Sequence, residues 1–146
     1  MIPKFRGKRK DNGEWVVGVP IPNSFYNVVH MIPILLTDKV AYPPERLHEY
    51  LIEIVPETLG QSTGLKDKNG MEIYCGDIVS VRNHPFQKKG KSDAGIEIDG
   101  DYAISWNEGD LTWCAGNLLL ARLKPYVAVA ANIWENPELL DQANES

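Results

Sequence analysis

Four carboxylates crowd one part of the chain: Asp99, Asp101, Glu108 and Asp110. General acid–base catalysis needs such groups as a pair, one protonated and one ionised. It also needs a pocket that drives their pKa values apart. These four fall at expected turns, where an Asp side chain commonly bonds nearby backbone instead. Basic residues form two clusters. Lys4, Arg6 and Lys8 alternate, so on a strand they share one face, with Arg9 and Lys10 following. Such a row suits a phosphate backbone, and it equally suits an edge strand guarded by charge against aggregation. Lys88, Lys89 and Lys91 lie in a polar stretch and read as a solvated loop. Trp106 and Trp113, with Tyr102 and Tyr126 near in sequence, suit an aromatic platform for single-stranded nucleic acid or a peptide. They equally suit the filling of a small barrel or an oligomer interface. The candidate nucleic-acid-binding set is therefore Lys4, Arg6, Lys8, Trp106 and Trp113.

Other chemistry has less support. Cys75 and Cys114, with His30, His48 and His84, lack the local spacing of a four-ligand zinc site. The two thiols are expected to be reduced, small buried hydrophobes. The sequence contains no P-loop, dinucleotide fingerprint, HExxH or nucleophile elbow. We therefore expect a non-enzymatic protein with no cofactor. The net charge of −5 opposes sequence-independent binding to nucleic acid. No apolar run approaches the roughly 20 residues of a membrane span. The start Met1-Ile2-Pro3-Lys4 has no apolar signal region, so the expected compartment is the cytoplasm.

The elements that must position these residues are short. Ten prolines and twelve glycines punctuate the chain, and apolar runs are bounded by turn residues, an all-β pattern. Lys4–Lys10 and Trp15–Val19 flank Asp11-Asn12-Gly13-Glu14 and read as a hairpin. Val28–Leu36 contains Pro33, which points to an edge strand or a loop. Glu45–Tyr50 fits one helical turn, and Tyr50–Val55 fits a strand. Pro56–Lys68 is the expected boundary between an N-terminal β part and a C-terminal barrel. Asn69-Gly70 is a turn signal. Ile73-Tyr74 and Ile78–Val81 are strand pieces. Gly76-Asp77 suits a tight turn whose Asp accepts backbone N–H bonds. Ile96, Ile98, Tyr102, Ile104 and Trp106 suggest a second hairpin turning at Asp99-Gly100. Leu118–Leu123 fits a strand or one helical turn, and Val127–Ile133 a final strand. Asn136-Pro137-Glu138 starts a short helix, with Trp134 docking beside it. The expected core includes Ile78, Val79, Ile104, Trp106 and Ile133.

Three segments carry a family resemblance. The run Gln61-Ser-Thr-Gly-Leu-Lys-Asp-Lys-Asn-Gly-Met-Glu-Ile-Tyr-Cys-Gly-Asp-Ile-Val79 resembles the core segment of the YopX family. Lys4–Arg9 with Asn12–Gly18 looks like that family's opening hairpin, and Ala131-Asn132-Ile133-Trp134-Glu135-Asn136-Pro137-Glu138-Leu139-Leu140 like its closing motif. Residues 20–50 and 82–125 carry little of the resemblance. The chain departs from the family's usual pattern at Cys75, where an acidic residue precedes Gly-Asp, and at Ala131, where Gly precedes Asn-Ile.

The resemblance implies a mainly β fold with an SH3-like barrel portion and an origin in phages, prophages or related mobile elements. It brings no established activity and no site residues. The expected layout is residues 1–60 as an N-terminal β region packed on the barrel, 61–140 as the barrel with its closing helix, and 141–146 as a flexible tail. The expected partner is a second copy of the chain or an unidentified phage or host protein, rather than a membrane. The alternative is a small-barrel nucleic-acid-binding protein.

Overall fold

The computed structural model of the protein describes residues 4–25, 28–33, 44–85 and 98–140. The expectations for residues 34–36, Lys88, Lys89, Lys91, Ile96 and the tail fall outside them. The chain is mainly β and divides into two compact units, Met1–Ser62 and Thr63–Ser146.

In the first unit, β1 (Phe5–Lys8) and β2 (Trp15–Phe25) form the expected hairpin, with Lys8 opposite Trp15. Its turn is fixed by Asn12, whose Oδ1 accepts the Glu14 N–H at 2.9 Å. β3 (Val28–Pro33) pairs with β2 on one side and β4 (Ile52–Ile54) on the other. Pro33 thus does not make β3 an edge strand. It sits at the strand's end opposite Gly18, where the missing N–H disturbs the ladder least. Gly18 itself has no room for a Cβ, which would strike the Ile32 carbonyl. Residues Pro44–Tyr50 form a 3-10 helix around the expected turn.

The ladder order is β4-β3-β2-β1, and the first unit ends as Gly60 and Gln61 of β5 (Gly60–Lys66) pair with β1. Just past β1, Arg9 bridges Ile54: the Lys10 N–H donates to the Glu53 carbonyl and the Val55 N–H to the Lys8 carbonyl. The small interior centres on Met31 and Ile54, both fully buried.

The second unit takes up the rest of β5, which turns at Asn69-Gly70 into β6 (Glu72–Tyr74). Then follow β7 (Asp77–Val81), β8 (Gly100–Asn107), β9 (Thr112–Ala115), β10 (Leu118–Leu119), α1 (Leu120–Leu123) and β11 (Val127–Asn132). Leu118–Leu123 therefore divides between a strand and a helical turn. The helix turns Leu120 and Leu123 into the core. The five-stranded sheet is antiparallel in the order β10-β9-β8-β7-β11. β10 and β11 stand at its two ends, so the ladders do not close into a barrel.

The core is Ile73, Val79, Val81, Ile98, Ile104, Ala115, Leu120, Leu123 and Val127, with Trp113, Tyr102 and Tyr126 packed against it. Ile78 is also fully buried. Three expectations fail here. Gly100 opens β8 opposite Val81 rather than making a turn, and β8 instead forms its hairpin with β9. Trp106 is 45% exposed rather than in the core. It lies two residues beyond Ile104, where the strand pair has run past the packed interior. Ile133 is half-buried.

Among the described residues no helix is long and apolar enough to cross a membrane. The last described helical turn, Glu138–Leu140, is held by i to i+3 bonds to the Asn136 and Pro137 carbonyls.

Candidate functional site

Two of the three segments that carry the family resemblance, the run ending at Val79 and the closing motif from Ala131, meet in the second unit. Asp67 is buried at 6% exposure. Its Oδ1 accepts the N–H groups of Asn69 and Met71, closing the β5–β6 turn, and its Oδ2 accepts the Val129 N–H of β11, each at 2.8 Å. The Lys68 N–H reinforces the joint by donating to the Val127 carbonyl. Burial pushes the Asp67 carboxyl up, but the donors on Val129, Met71 and Asn69 outweigh it and hold it below its usual 3.8.

A second joint lies at Gly76-Asp77. The Asp77 carboxylate accepts the Tyr74 N–H at 2.8 Å, as expected of a turn Asp. Asp77 stands opposite Asn132 in the β7–β11 ladder, and the Gly76 carbonyl accepts the Ile133 N–H. Gly76 has φ +88°, and a Cβ there would fall within the Trp134 ring. Asn132 is buried, and its Oδ1 accepts the N–H groups of Trp134 and Glu135. Tight turn, glycine seat and capping Asn thus form one lock. The Asp77 and Asn132 side-chain oxygens accept backbone N–H groups, and the Asn132 Nδ2 donates to the Glu135 carboxylate at 3.3 Å, which is the work of a scaffold. Cys75 and Cys114 carry free thiols; Cys114 is buried as expected, and Cys75 only half-buried.

The five candidate interface residues fall into two groups, one in each unit. Arg6 and Lys8 do share one face of β1, opposite the buried Gly7, and Lys4 immediately precedes the strand. Arg6 is committed within the protein: its guanidinium lies over the Trp15 ring, 4.8 Å from the centroid. Val17, directly opposite Arg6, and Val19 two residues on are exposed, so this face mixes cations with apolar side chains. Trp106 and Trp113 oppose each other across β8 and β9, with rings 5.2 Å apart, edge to face. Trp113 leans on the core; Trp106 does not.

Sequence reasoning missed two features. The loop Glu108–Leu111 that follows Trp106 exposes Leu111 by 73%, at φ +51°. A bulky side chain in that left-handed region is unusual. Gly109 and the flanking acids announce a turn, but nothing in the sequence places the left-handed residue at Leu111 rather than at the glycine. The second feature is a groove of about 460 Å3, lined by Leu118, Leu119, Leu123, Tyr126, Ile98 and Arg122, among others. The His84 ring tilts against Tyr126 at 4.8 Å on its wall. The carboxylates proposed for acid–base work are dispersed. Asp99 accepts from the backbone of Asn83 and His84, Asp101 meets Arg82, and Glu108 and Asp110 lie in the exposed loop.

Fold and site together define a mainly antiparallel β protein of two small units with an internally bonded motif lock. The chain belongs to the YopX protein family, which it matches over residues 4–141. It is also similar to a solved structure, protein EF1440 from Enterococcus faecalis. The two are 26% identical, with 96% of this chain and 99% of that one covered at a TM-score of 0.54. No curated protein matches the chain.

Proposed function

We propose that this is a non-enzymatic accessory protein of a phage or other mobile element, acting in the host cytoplasm by binding another protein or assembling with itself. The observation that carries the reading is the β8–β9 tip, where Leu111 and Trp106 stand 73% and 45% exposed beside Glu108 and Asp110. Exposed large apolar groups next to charge suit a protein contact. Val17 and Val19 on the first unit add to this support. In this reading the second unit is a variant of the SH3-like barrel in which β10 and β11 remain unjoined.

The alternative is nucleic-acid binding, favoured by the row of Lys4, Arg6 and Lys8 beside Trp15 and opposed by the net charge of −5. Light scattering and gel-shift series at low and moderate salt separate the two. A strict monomer that binds single-stranded DNA below about 1 μM near physiological salt would falsify the protein-binding reading. Lys4→Ala and Lys8→Ala would then each shallow the salt slope by about one unit or less.

A further inference from the structure

Two surfaces of the second unit are complementary. The first is the β8–β9 tip. Leu111 projects at 73% exposure, and the Glu108 and Asp110 carboxylates have no hydrogen bond or ion pair among the described residues. The second is the groove, floored by Leu118, Leu119 and Leu123. Its volume of about 460 Å3 falls within the range of sites that enclose a ligand group. Arg122 stands on its wall and Lys124 two residues along, both exposed and likewise without a hydrogen bond or ion pair among the described residues. An apolar knob flanked by two unspent anions thus faces, in chemical terms, an apolar hollow flanked by two unspent cations.

The knob cannot fill the hollow of its own chain. Leu111 adjoins one end of β9, while Leu118 and Leu119 pair with Ala115 and Cys114 at the other. The strand between holds the two surfaces about 10 Å apart. Bringing them together would require breaking the β8–β9 ladder. The occupant that the chain itself supplies is therefore a second copy.

We propose that the tip of one protomer seats Leu111 in the Leu118–Leu119–Leu123 groove of a second copy, with Glu108 and Asp110 meeting Arg122 and Lys124. This rests on the self-assembly arm of the function proposed above. Because knob and hollow are different surfaces, the contact is head-to-tail. It closes a ring if the rotation permits and otherwise extends a chain.

Light scattering of purified full-length protein over a concentration series, with two charge-reversed variants, tests the contact. One variant is Glu108→Arg with Asp110→Arg; the other is Arg122→Glu with Lys124→Glu. All four positions are exposed, and a circular dichroism spectrum matching wild type verifies folding. The wild-type mass should rise with concentration. Each variant alone should associate at least about tenfold more weakly. An equimolar mixture should recover association, because each reversed surface then meets its complement. Leu111→Ser should weaken association without touching any charge. If either folded reversal assembles like wild type, or the mixture fails to recover, the contact is wrong although self-assembly stands. A wild-type protein that stays monomeric throughout overturns both the contact and the self-assembly arm.

Discussion

The Asp67–Trp134 lock and the β8–β9 tip lie in the same unit and draw on the same residue types, but they use them in opposite ways. In the lock, Asp67, Asp77 and Asn132 are buried and spend their side-chain oxygens on backbone N–H groups. Trp134 rests on a glycine that has no alternative. At the tip, Glu108 and Asp110 are exposed with their carboxylates unspent, and Trp106 and Leu111 face solvent. The residues that carry the family resemblance therefore explain how the unit is held together. Within this unit, the exposed residues of the tip lie outside them.

The contrast breaks most severely at Gly76. Gly76→Ala imposes a left-handed alanine and drives its Cβ into Trp134. Together these should cost about 2–5 kcal/mol, read from a denaturant midpoint. The loss should shrink when Trp134→Leu is added, because much of the clash is with that ring. An unchanged midpoint in Gly76→Ala would mean that the lock is not seated as described.

Asp67 gives the next largest effect. Asp67→Ala leaves three backbone N–H groups without their acceptor and should cost about 1.5–3 kcal/mol. The same group sets a pH dependence. Its folded pKa lies below the unfolded value of 3.8, so its contribution is fully present above that value. It is lost as pH falls through the depressed folded pKa. Stability measured from pH 6 downward should fall less in Asp67→Asn than in wild type over the acid window, and equal slopes would exclude this role.

How far this was legible in the sequence follows the same division. The opening hairpin, the Asn69-Gly70 turn and the Asp77 cap are local events, decided by residues within a few positions of one another, and they are readable in order along the chain. That Asp67 reaches Val129 across 62 positions is not readable, because nothing in the spacing names a distant partner. Alternation correctly placed Ile104 inside but carried Trp106 in with it. Periodicity gives the face of a strand, not the point where the core beneath it ends. Leu111 and the groove escaped notice because each depends on where side chains stop packing.

Trp106 turns that misplacement into a measurement. A core tryptophan truncated to Ala costs about 3–5 kcal/mol. Trp106 is 45% exposed and its ring contact is the edge-to-face pair with Trp113. Trp106→Ala should therefore cost only about 1–2 kcal/mol, a partial burial term plus one aromatic pair. Trp113→Ala, which removes a ring packed on the core, should cost distinctly more. If the two substitutions are equal, the tip is better packed than the structure places it.

The smallest effect on stability is expected at Leu111, and its sign is opposite. A leucine at φ +51° bears the crowding between Cβ and carbonyl that disfavours the left-handed region, whereas asparagine tolerates it better. With the side chain 73% exposed, little burial is lost on replacement. Leu111→Asn should thus raise the unfolding free energy of the isolated chain by about 0.5–1 kcal/mol. If Leu111 is the knob of the head-to-tail contact, the same substitution should also lower the association seen by light scattering. Measured together at one low and one high protein concentration, the two readings separate cleanly. A more stable monomer that assembles less well shows a residue kept at a local cost for an intermolecular gain. A more stable monomer that assembles as before would leave the strained leucine without that role, and a destabilised one would show that the loop packs more tightly than its exposure indicates.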